Sequence, residues 1–163
     1  MKLTSPRILA LLGLTLALLL AGCGAKPLTI ADLPTYPDAV ELKPGESQIG
    51  DTLQQNMQQD AAMRDAAGVG GSTEQQGFTL PANASWEAVK GFYSEQLKAA
   101  GWAEGMGGPG GGMASQIIDQ ANTGNDMFQT AMFSKDKQVL SVIRVASPTD
   151  PKTVELVLSL STR

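Results

Sequence analysis

The chain has 163 residues, room for one domain on the usual scale of about 100–200 residues each. It carries 12 Lys and Arg against 16 Asp and Glu, a single cysteine and no histidine. These counts exclude an internal disulfide framework, a cysteine-cluster zinc site, His-ligated metals and catalysis by Ser-His or Cys-His pairs.

In chain order, the N-terminus is read before any fold. Lys2 and Arg7 make a short positive region, and residues 8–21 follow with no charge and a Leu/Ala-rich composition. As a helix that run is about 21 Å long, against a hydrocarbon core of about 30 Å. It has the length of a signal-peptide core, not of a permanent span. It ends in Leu20-Ala21-Gly22-Cys23, and here the sequence resembles bacterial lipoproteins, whose lipobox reads Leu-Ala/Ser-Gly/Ala-Cys. The resemblance implies cleavage before Cys23, a diacylglycerol thioether on its sulfur, and acylation of the freed amino group in many bacteria. Two or three acyl chains, at about 0.8 kcal/mol per buried CH₂, anchor stably where one does not. The competing readings are an ordinary signal peptide, or a buried apolar helix with an incidental cysteine. Gly24 stands where many enterobacterial lipoproteins carry the Asp of inner-membrane retention, so the resemblance points to an outer membrane if the source has one. The likeness ends near residue 24.

Removing residues 1–22 leaves 141 residues with 10 basic and 16 acidic side chains, a net charge of −6. An acidic chain with no run of Lys and Arg argues against nucleic acid and against electrostatic adhesion to anionic headgroups. Membrane attachment is therefore expected through the acylated Cys23 alone. Residues 23–37, with Pro27, Pro34 and Pro37, read as the lipidated N-terminus and a tether. Residues 38–163 read as one small domain, beginning with a strand over 39–43 that Pro44-Gly45 stops.

Residues 51–67 read as a Gln-rich helix capped by Asp51, with Leu53, Met57 and Ala61 on one face and Gly68 at its C-terminal turn. A strand over 73–80 follows. The clearest element is a helix over 86–100: Ser85 caps it, Glu87 complements its dipole, and Gly101 closes it. Trp86, Val89, Phe92, Tyr93, Leu97 and Ala100 form its apolar face, and Trp102 is expected to fold back over its end. Residues 105–113 hold six glycines and a proline with no Gly-Lys-Ser/Thr, which reads as a flexible surface loop and not a phosphate cradle. Residues 114–121 read as a short helix around Ile117 and Ile118.

Residues 127–133 and 138–145 read as a hairpin across the polar turn Ser134-Lys135-Asp136-Lys137, and 153–161 as a strand with one buried face. The run from Val139 to Val145 is apolar on both faces and belongs inside the sheet, so its second face needs a cover. The expected fold is α+β: an antiparallel sheet of about four to five strands with the 86–100 helix packed on one face, in the order β-α-β-α-β-β-β.

Candidate chemistry is sparse. Asp119 and Asp126 bracket an Asx-rich stretch, but Ala121 and Thr123 stand where a calcium loop needs ligands, and turn chemistry accounts for it. Six methionines after residue 22 are not grouped as copper sites are. Ser94 and Lys98 share one helix face, as any solvated pair does. Asn83-Ala84-Ser85 fits a glycosylation triplet, and capping explains Ser85 better. No catalytic set, metal ligand or cofactor is expected. The function read from these residues is a membrane-anchored, non-catalytic module that holds an envelope protein partner. The alternatives are a carrier of a small or apolar ligand, with its pocket between helix and sheet beneath the glycine loop, and a carboxylate or Ser-Lys enzyme.

Overall fold

The computed structural model describes residues 26–43, 45–68, 70–108, 110–147, 150 and 153–163. The signal peptide expected over 1–22, with its flank Leu20-Ala21-Gly22, and Cys23 lie outside them. Six antiparallel strands form one sheet: β1 (Val40–Glu41), β2 (Ser72–Leu80), β3 (Ala103–Glu104), β4 (Phe128–Lys135), β5 (Gln138–Ala146) and β6 (Val154–Thr162). They lie side by side in the order β1-β2-β6-β5-β4-β3. Three helices accompany them: α1 (Gln48–Ala67), α2 (Trp86–Ala99) and α3 (Gly111–Asn122). The class is α+β with an antiparallel sheet, as expected. Six strands form where about four to five were expected, β3 being the unforeseen one; the strand expected over 39–43 is β1, and the helices expected over 51–67 and 114–121 beside the main one form as α1 and α3. β1 and β3 are two residues each, too short to carry a period, and α3 buries only Gly111.

Strand β5 sits between β6 and β4, which explains its apolar character on both faces. The register puts Phe78 opposite Leu156, Leu158 opposite Val142, Leu160 opposite Leu140, and Phe133 opposite Leu140. These side chains share one face of the sheet, since alternate residues point the same way. Helix α2 closes that face with Trp86, Val89, Tyr93 and Leu97, all buried. Its ends form as the sequence dictates. The Ser85 hydroxyl accepts the Ala88 N–H at 3.2 Å, Gly101 takes φ +83°, and the Trp102 N–H returns to the Leu97 carbonyl at 2.9 Å. This closure buries the Trp102 ring. The hairpin turn is tighter than the four residues read from sequence, because Lys135 pairs with Gln138 and only Asp136-Lys137 lie between them.

The expected tether is, from Leu28 onward, packed on the domain. Leu33 is buried, and Leu28, Ile30 and Tyr36 lie against the same core. The Gln138 side-chain amide holds Leu28 as a neighbouring strand would. Its Oε1 accepts the Leu28 N–H at 3.0 Å and its Nε2 donates to the Leu28 carbonyl at 2.7 Å. Glu74 accepts the Ile30 N–H at 3.0 Å. The prolines that read as a linker instead flank a short 3-10 turn, Ile30–Asp32, held against the core.

The second face of the sheet is covered differently. Helix α1 packs along β2 and α3 along β4. The α1 cap is Ser47, not Asp51: its hydroxyl accepts the Gly50 N–H at 2.8 Å and donates to the buried Glu155 carboxylate at 3.0 Å. Asp51 accepts the Gly45 N–H instead. No residue of α1 is fully buried; Ile49, Leu53, Met57, Asp60 and Arg64 are half-buried at helical spacing. Among the described residues, no helix is long and apolar enough to cross a membrane.

Candidate interaction face

The second face is built from the odd-numbered residues of β2, β5 and β6 and the even-numbered residues of β4. Val157, between Gly77 and Ile143 in the register, is sealed at 1% exposure. Towards the β4 side the seal fails: Val139, Ser141, Ile143, Val145 and Met132 are half-buried, and Phe128 is 47% exposed. Met113 and Ile117, one turn apart on α3, are 72% and 62% exposed, and Met127 is 64% exposed. Large apolar side chains scattered singly need no explanation, but four exposed ones within residues 113–128 make this region the candidate contact surface.

Side chains spent on backbone hold this run in place. Asn122 at the end of α3 accepts the Thr130 N–H at 2.8 Å and donates to the Thr130 carbonyl at 2.7 Å. Asn125 accepts the Met127 and Phe128 N–H groups at 3.1 and 3.0 Å. The Gly105 N–H donates to the Met132 carbonyl. The edge of β4 beyond β3 is thus closed without a further strand. At the other end of α3, Gly111 is buried, and a Cβ there would overlap the Met106 carbonyl. The glycine-rich segment is therefore pinned at the start of α3, where the sequence suggested a free loop.

Lys90 of α2 ties these elements from the core side. It pairs with Glu104 of β3 at 2.9 Å and lies 3.8 Å from Asp119 of α3. The Glu104 hydrogen bond and both carboxylate charges hold its pKa above the ordinary lysine value, against partial desolvation. Asp119 is thus engaged with Lys90 while Asp126 sits past the far end of α3. The polar atoms of Asn122 and Asn125, which a calcium site would need, are committed to β4. No group of three metal-ligating carboxylates or thiols forms among the described residues. Ser94 and Lys98 stay on the outer side of α2, with no hydrogen bond between them among the described residues. The methionines divide between α1, the start of α3 and β4.

The space beneath the glycine segment, lined by Lys90, Glu104, Ser115, Ile118 and Met132, has a volume of about 30 Å³, room for roughly one water molecule. A larger open cleft of about 280 Å³ lies between α1 and the β1–β2 edge, lined by Leu42, Leu53, Gln54, Met57, Gln75 and Gln76. Asn122, Asn125 and Gln138 were missed by sequence reasoning. Their partners are backbone atoms, which leave no residue-type signal.

Comparison with family models, curated proteins and solved structures finds no match, so no relative supplies an activity.

Proposed function

We propose that the protein is a lipid-anchored, extracytoplasmic interaction module, held through acylated Cys23 to a membrane of the cell envelope and offering its second sheet face to a protein partner. Where the source has two membranes, Gly24 favours the outer one. The observation that carries the reading is the exposed apolar line Met113, Ile117, Met127 and Phe128, set on a sheet whose other face is fully closed. Met and Phe are residue types enriched at interface cores, and the line sits on a rigid strand and helix. Non-catalytic action fits the spending of the polar side chains near this face on structure.

The test is photo-cross-linking in native membranes from positions 117 and 128, with Cys23→Ser as control. One dominant protein adduct from both positions, lost in the control, supports the module. Adducts no more frequent than from exposed Glu95 on the opposite face overturn it. Failure of Cys23→Ser to abolish acyl labelling overturns the anchor. A second reading, a carrier of a small ligand, rests on the 280 Å³ cleft, which lies just under the usual range of about 300–1,000 Å³.

A further inference from the structure

Ten basic residues spread over the mature chain form no run in the sequence, yet the fold gathers six at one end of the sheet. The pairing of Gln138 with Thr162, and of Thr162 with Ser72, defines that end. Lys135 precedes its hairpin turn and Lys137 lies in it, and the Arg163 N–H bonds the Lys137 carbonyl at 3.0 Å. The last turns of α1 and α2 reach the same end and bring Arg64 and Lys98. A Cβ on Gly71 would lie 2.6 Å from the Thr162 carbonyl and 3.1 Å from an Arg64 nitrogen; one on Gly101 would lie 3.8 Å from Lys135 Nζ. The C-terminal ends of helices favour cations, and Lys135 Nζ caps α2 by donating to the Ala100 carbonyl at 2.7 Å.

The side-chain carboxylates of this terminal layer are Asp65 and Asp136. Those just further in are largely engaged: Asp32 by the Thr29 N–H and hydroxyl, Asp60 by Arg64, Glu74 by the Ile30 N–H and Glu104 by Lys90, leaving Glu95 on α2. The opposite end carries Asp38, Glu46, Asp51, Glu87, Asp126 and Glu155. A chain of net charge −6 is therefore polarised, and its positive end is the end from which the N-terminal segment leaves. Leu28 is clamped there by Gln138, and Lys26 lies two residues before it. Only five residue steps separate Leu28 from Cys23, at most about 18 Å of extended chain.

We propose that this end is a docking face for anionic phospholipid headgroups, formed by Lys26, Lys98, Lys135, Lys137 and Arg163 with Arg64 at its margin. The inference rests on the anchor at Cys23. The anchored domain then stands on the bilayer with its acidic end outward and the Met113–Phe128 face turned sideways, towards neighbours in the same membrane. Attraction of this kind is worth roughly a fivefold change per basic residue near the surface.

The test uses the full-length chain as isolated from membranes, placed in vesicles of phosphatidylcholine alone or with about one quarter phosphatidylglycerol. Initial acetylation rates of single lysines are read by mass spectrometry. The expected result is that Lys98, Lys135 and Lys137 are acetylated about fivefold or more slowly in the anionic vesicles. Lys43, at the acidic end, is unchanged. The difference vanishes at about 1 M salt, where the Debye length is about 3 Å. In the double variant Lys98→Gln/Lys137→Gln, which leaves the Lys135 cap in place, Lys135 returns to its rate in phosphatidylcholine. Equal rates in the two vesicle types, or protection that survives salt, overturn the docking face. Intact mass reports the anchor separately. A chain without acyl groups sinks the anchor reading, and the same footprint, taken with that chain added to the vesicles, still decides the docking face.

Discussion

The two faces of the sheet are made by different means. The core face is a continuous apolar layer in which Val89, Tyr93, Leu140, Val142 and Leu156 are fully buried. α2 and the segment from Leu28 to Tyr36 close it together. The second face is partly covered by two helices, neither of which buries an apolar side chain completely. The first face carries most of the buried apolar surface, and the second leaves Phe128 and its neighbours open. The difference teaches that a helix can be present for shape and position without being a large part of the core.

The sharpest way to break this comparison is a matched pair of truncations. Leu158→Ala, on the core face at 1% exposure, is expected to cost about 3 kcal/mol in urea unfolding, the usual range for a buried leucine being about 2–5. Leu53→Ala on α1 is expected to cost about 1 kcal/mol, because its side chain is only partly buried. Equal losses would mean that α1 is part of the core after all.

Between these lies Gln138→Leu. It leaves the Leu28 N–H and carbonyl without partners, a cost of about 2 kcal/mol. Hydrogen exchange should rise over 28–33 more than anywhere in α2. Uniform exchange across the molecule would instead show that the clamp is a global element.

The smallest effect tests the quality of the core itself. Among the described residues the buried Tyr93 hydroxyl makes no hydrogen bond of good geometry, with the Tyr36 backbone only weakly engaged, so Tyr93→Phe is expected to change stability by less than about 0.5 kcal/mol. Burial pushes this hydroxyl well above the ordinary phenol value. The unfolded chain then releases its proton first, at about pH 10, and stability falls as pH rises through and above that point. The Phe variant should lose stability more slowly there; parallel losses would assign the alkaline limb to Lys90, whose raised pKa acts in the same direction.

What the sequence made legible was whatever is decided locally. α2 is declared by Ser85, by Val89, Tyr93 and Leu97 at helical spacing, and by Gly101, all within seventeen residues. Alternation in β6 and the two-sided run of β5 also depend only on neighbours. Illegible were the features decided at a distance. Pro27 and Pro34 look like linker composition, and the residue that fixes their segment, Gln138, lies 110 positions away. The start of α3 at Gly111 depends on close approach to the Met106 carbonyl, which a glycine-rich string does not announce. The exposed face was anticipated only as an uncovered side of β5. Which residues stay open depends on how α1 and α3 divide that side, and the periodicity of neither helix records it. The basic end was invisible for the same reason: its charges come from five places in the chain.

Under the lipid anchor proposed above, Asn122 would have a consequence in a crowded layer. Its single carboxamide presents β4 with one acceptor and one donor, the complement that a neighbouring strand would bring, and then the polypeptide turns away. It is a counterfeit strand one residue long. Copies of a protein confined to a surface meet edge to edge far more often than copies in solution, and an open edge offers each encounter a template for growth. With the counterfeit in place, neighbours meet through side chains and part again. Asn122→Asp keeps the acceptor, discards the donor, and reopens one carbonyl to whatever strand arrives next.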